Sequence, residues 1–141
     1  MTNEELAYGL FRQATSRVKT VQEAIQDEDY AYAVRVSQEC VGLCLKALLI
    51  SVGVDPPKWH DVGTILMDHA FRFPQIEKKV IEEMAFISRN LRADRERSMY
   101  GDDILRLPPD RLYSRLDAES AQKWVQKVYS TCFSLLGRQK P

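Results

Sequence analysis

Long apolar runs are missing from this 141-residue chain. No stretch approaches the roughly 18 consecutive apolar residues that a membrane-spanning helix needs, so no membrane contact of that kind is expected. The polar, acidic stretch after Met1 does not read as a secretory signal. Net charge is missing as well, because 20 Lys and Arg balance 20 Asp and Glu. A neutral chain exerts no global pull on a polyanion, so any site for one must be a local patch. Cysteine is scarce and odd in number: Cys40, Cys44 and Cys132. That count argues against a disulfide framework. Cys40 and Cys44 lie one helical turn apart in an apolar segment, and the two histidines, His60 and His69, make no metal-ligand pattern with them. Buried, reduced thiols in a cytoplasmic protein are expected, with no metal and no cofactor. No alternating strand pattern of useful length occurs, nor any repeat or low-complexity tract.

What is present is amphipathic helix. Hydrophobic residues make up 45% and charged residues 28%, ordinary for a globular chain and enough for a core without disulfides. Leu6, Leu10, Ala14, Val18, Val21 and Ile25 recur at spacings of three and four, which predicts a helix over 3–26 capped by Thr2 or Asn3. Asp29 is the N-cap of a second helix running to about Val52. That helix is apolar on more than one face and should sit centrally, its small residues Ala33, Ser37, Cys40, Gly42 and Cys44 letting neighbours come close. Gly53 ends it, and Pro56-Pro57 enforces an extended connection. A third helix is expected from near Asp61 to near His69. A fourth carries Pro74 in its first turn, with Ile76, Val80, Met84, Ile87 and Leu91 inward. The last begins at Asp117 or Ala118 and ends at Gly137 and Pro141. The expected fold is all-α, an antiparallel up-and-down bundle of four main helices plus a short extra helix, in one domain over 1–141.

Residues 89–115 break the pattern with seven arginines and no lysine. Part of this charge fits a solvated helix end, where Asp94 and Glu96 pair some of the cations to little energetic effect. Arginine in place of lysine also suits bidentate recognition of phosphate or carboxylate. Ser98, Tyr100 and Asp102 follow at once. If 89–98 stay helical, Arg89, Arg92, Arg95 and Ser98 share a face that could form half of a phosphodiester groove.

In these features the chain resembles a HEPN domain. The resemblance rests on the second helix from Tyr32 to Leu49, the following His60-Asp61-Val62, and the Arg-rich stretch ending Arg97-Ser98-Met99-Tyr100-Gly101-Asp102. It implies a bundle of four main helices plus a short element, usually dimeric. It implies either a metal-independent ribonuclease with an Arg, a gap of four to six residues and a His, or a binding module for RNA, nucleotide or protein. It also implies a possible partner, a minimal nucleotidyltransferase of a toxin–antitoxin pair, with Tyr100 as the hydroxyl that such an enzyme modifies. Here no histidine follows Arg92 or Arg95 at the required distance. Ser98 stands where the histidine is expected, and a serine hydroxyl cannot shuttle protons near neutral pH as imidazole does. The expected catalytic set is then Arg92, Arg95, Ser98 and Tyr100. The expected nucleotide or RNA contacts are Arg89, Arg92, Arg95, Arg97, Tyr100 and Asp102. A homodimer would join two such stretches, with Trp124, Tyr129, Phe133 and Leu107 available as contact area. The family's histidine at position 60 is structural, and His69 at a helix end favours the dipole there. A structural helical interaction protein is the remaining reading.

Overall fold

Helix α1 (Asn3–Gln26) starts where the Thr2 side chain accepts the Glu5 N–H, with Glu4 and Glu5 in the first turn favouring the positive end of the helix dipole. It stops in a reversal: the Asp29 N–H donates to the Ala24 carbonyl at 2.8 Å and the Glu28 N–H to that of Ile25 at 3.0 Å. Glu28 sits at φ 59° to make this turn. Asp29 then caps α2 (Tyr30–Ser51). In the computed structural model, residues 1–56, 58 and 62–137 are described. The expectations for Pro57, His60, Asp61 and Pro141 fall outside these residues.

The remaining elements are α3 (Val62–Asp68), a 3-10 turn (Ala70–Arg72), α4 (Lys78–Ala93), α5 (Arg95–Tyr100), α6 (Pro109–Leu112) and α7 (Arg115–Leu136). Together they form an all-α antiparallel bundle. Helix α2 packs against every other helix, as its broad apolar surface requires. Leu45, Leu48, Leu49, Cys40 and Cys44 are fully enclosed along it, joined by Met84, Ile87 and Leu91 from α4 and Val125, Val128 and Cys132 from α7. The three thiols are free and buried. Cys40 Sγ donates to the Ala14 carbonyl and Cys132 Sγ to that of Cys44. Among the described residues, no helix is long and apolar enough to cross a membrane.

Four expectations need correction. Pro74 does not open α4. It lies in a turn closed by the Ile76 N–H on the Phe73 carbonyl at 3.0 Å, and α4 begins four residues later at Lys78. Helix α7 begins at Arg115, because Ser114 and Asp117 form a capping box with hydrogen bonds in both directions. Leu6 is exposed, and α1 instead buries Ala7, Phe11 and Ala14. Gly42 brings no helix close, since a Cβ there would meet nothing within 4 Å; the close approach is at Gly63, against Ala85 of α4.

Candidate functional site

The arginine stretch is not one helix. Helix α4 ends with Asp94 as its C-cap, and α5 starts at Arg95. The junction is held from outside: the buried Tyr113 hydroxyl donates to Asp94 Oδ1 at 3.0 Å. Burial first, then this hydrogen bond, pushes the Tyr113 phenol well above its usual range. Arg95 stands beside α2.

There it meets a polar stripe on an otherwise apolar helix. Arg35, Gln38, Gly42 and Lys46 are spaced by three, four and four residues, so they share one face of α2. With Arg17 of α1 and Arg95 and Met99 of α5 they border an open cleft of about 320 Å³. A second, smaller cleft of about 90 Å³ adds Lys58, Ser88 and Arg92. Gln38, Gly42, Lys46 and Arg95 border both, so the two form a continuous groove. From Arg35 to Lys46 the groove follows α2 for ~16 Å, at about 1.5 Å per residue.

Its charge is one-sided. Arg17, Arg35, Lys46, Lys58, Arg92 and Arg95 face a single carboxylate among the described lining residues, Glu39. That carboxylate is already engaged by Arg17 Nε at 3.2 Å. Arg35, Lys46 and Arg95 take part in none of the ion pairs among the described residues. Arg35, Lys46, Lys58 and Arg95, with Arg92 beside them, thus line a groove in a chain whose net charge is zero.

The residues singled out from the sequence are divided by this geometry. Arg92 and Arg95 lie in the groove. Ser98 is 5% exposed, and its hydroxyl donates to the Arg95 carbonyl at 3.0 Å, so it supports α5 from beneath. Tyr100 and Asp102 border a different cleft with Asp103, Arg106 and Pro108. Asp102 is occupied in building that loop: its carboxylate accepts the Ile104 and Leu105 N–H groups, and its backbone pairs with Leu107. Arg89 is exposed on α4 and Arg97 on α5, and neither borders the groove. Trp124 and Tyr129 are half-buried, while Phe133 is 47% exposed. No imidazole is among the described lining residues. His69, just past α3, has its Nδ1 buried without a hydrogen-bond partner and its ring tilted against Phe71.

The α2 contribution, Arg35, Gln38, Gly42 and Lys46, is absent from the sequence candidates. The signal for it is the polar stripe at helical spacing within the most apolar helix of the chain.

Comparison with known proteins bears on this architecture. The family model described as HEPN domain matches residues 7–135. Among solved structures, TT1696 from Thermus thermophilus is similar, with a TM-score of 0.66 and 22% identity over 91% of this chain and 96% of that one. At that identity the likeness is one of fold. None of the curated proteins compared matches the chain.

Proposed function

The chain belongs to the HEPN domain family, and we propose that it is a binding module of that family, holding the phosphates of RNA or a nucleotide in the groove between α2, α4 and α5. The observation that carries this reading is the run of arginines and lysines on both walls, opposed among the described lining residues by one carboxylate that is itself paired. Guanidinium groups bind phosphate oxygens in pairs, and a groove ~16 Å long spans more than one phosphate of an extended strand. The chemistry of a ribonuclease receives less support. Ser98 is buried and bonded to its own helix, and Tyr100 opens into another cleft.

The test is a fluorescence-anisotropy titration of short single-stranded RNA over a range of salt concentrations. If about three phosphates are neutralised, log Kd should change with log salt with a slope of about 2. The Lys46→Ala/Arg95→Ala double variant should weaken binding and lower that slope by about 1 or more. Salt-independent binding, or an unchanged slope in the variant, overturns the reading.

A homodimer is part of the proposal. The loop after α5 presents Ile104, 93% exposed, and Leu105, 62% exposed, on a base made rigid by Asp102. A second copy covering this tip would bury its exposed apolar side chains. Sedimentation equilibrium at micromolar concentration decides this: a monomer rejects the dimer.

A second reading concerns a minimal nucleotidyltransferase partner of toxin–antitoxin type. Tyr100 is 72% exposed at the end of α5 with Arg106 in the same cleft, which suits a hydroxyl approached by a triphosphate. Intact mass after co-expression with such an enzyme tests it, and an unmodified Tyr100 rejects it.

A further inference from the structure

The groove has a neighbour that differs from it in chemistry. A cleft of about 320 Å³ is bordered by Asp29, Tyr32, Arg35, Ser98, Pro109 and Asp110. It shares Arg35 with the phosphate groove, so a ligand lying in one reaches the other at that residue. The Arg35 guanidinium lies over the Tyr32 ring, 4.7 Å from its centroid, and Tyr32 keeps 36% of its surface exposed. The two form a stacked pair beside two carboxylates. Arg35 Nε is buried without a hydrogen-bond partner, so the guanidinium is not saturated by the protein. Asp29 uses Oδ1 to cap α2, and Asp110 forms none of the ion pairs among the described residues.

We infer that this cleft is a nucleobase subsite with a preference for guanine, adjoining the phosphate groove. The inference rests on the groove reading above. Unpaired bases are recognised by stacking on aromatic rings or guanidinium planes and by hydrogen bonds along the Watson–Crick edge. The pair of Tyr32 and Arg35 supplies the first. For the second, a carboxylate offers acceptors only. Guanine presents two adjacent donors, N1–H and the N2 amine, which match one carboxylate as a pair. Adenine and cytosine present a single exocyclic amine. Uracil has one N–H between two carbonyls, which a carboxylate repels. Asp110 is the acceptor the inference assigns, because Asp29 is engaged at the start of α2. Pro109 closes the other side.

The experiment measures binding of three heptameric RNAs by anisotropy: uridine throughout, and the same strand with one central guanine or one central adenine. The guanine strand should bind about tenfold more tightly than the all-uridine strand, the discrimination of one good bidentate pair. Asp110→Asn, which replaces one acceptor oxygen by a donor, should erase that preference, so that within the variant the guanine and uridine strands bind alike. Tyr32→Leu should weaken the guanine and adenine strands together. Both positions are exposed, and circular dichroism confirms that the variants fold. Equal affinity for all three strands, or a preference that survives Asp110→Asn, overturns the subsite and leaves the groove standing. Failure of every strand to bind rejects the groove, and the subsite with it.

Discussion

Two glycines should respond to alanine with opposite signs. Gly42 lies in the interior of α2, and a Cβ there would meet nothing within 4 Å. Alanine is favoured over glycine in a helix interior by about 0.8–1.0 kcal/mol, and nothing at this position offsets the gain. For a chain of this length that corresponds to a rise in Tm of about 3–5 °C. Gly63 is packed instead: a Cβ would stand 2.9 Å from the Ala85 carbonyl oxygen and 3.0 Å from its Cα. These are backbone atoms of α4, which moves only as a unit. Overpacking of this kind costs about 1–3 kcal/mol, more than the helix-propensity gain returns. Urea denaturation followed by circular dichroism, with equal slopes required for both variants, measures the two effects. A Gly42→Ala protein no more stable than the parent would refute the open placement of residue 42, and with it the groove drawn along α2. Gly42→Leu extends the test. It fills the groove without touching the core, so the fold should persist while RNA affinity falls.

Glu28→Gly should stabilise the protein by about 1 kcal/mol in the same assay, because Glu28 holds φ 59° in the α1–α2 reversal and glycine does so without steric cost. Tyr113→Phe should cost about 1–2 kcal/mol at neutral pH through loss of the hydrogen bond to Asp94. The folded-state phenol is raised, so its contribution is complete below the ordinary tyrosine value near 10 and fades as pH climbs above it. Stability of the parent should therefore decline above about pH 10, and the phenylalanine variant should lack that part of the decline. A thiol reagent should label none of the three cysteines in the native protein. The neighbouring thiols, Cys44 beside Cys40 and Cys132 beside Cys44, together with burial, push Cys40 and Cys44 far up. Labelling faster than unfolding would contradict the enclosed positions.

The bundle is legible because its long helices carry their own punctuation. Asp29 caps α2, and the apolar periods of α1 and α2 run unbroken between their ends. Misreadings fall where one signal serves two structures. Proline suits a helix's first turn, and equally the second position of a turn, which is where Pro74 sits. Asp117 has the chemistry of a helix start, yet it is the third residue in, reaching back to Ser114. The site is half legible. Arg92 and Arg95 stand out as a local cluster. Their helix ends at Asp94, whose side chain is bonded by a residue 19 positions later in sequence, and nothing local announces that contact. The opposite wall comes from α2, where three polar residues and a glycine are overshadowed by the apolar majority around them.

The Asp94–Tyr113 contact also sets an order of events during synthesis. Chains emerge from the ribosome N-terminus first, and α1, α2 and α4 can pair as soon as they are out. The α4–α5 junction beside Arg95 has no clamp until Tyr113 has followed, after the loop beyond α5 and the short α6. A nascent chain can therefore pair its first long helices before Arg95 is fixed in place. The core closes later still, when α7 brings Val125, Val128 and Cys132 against α2.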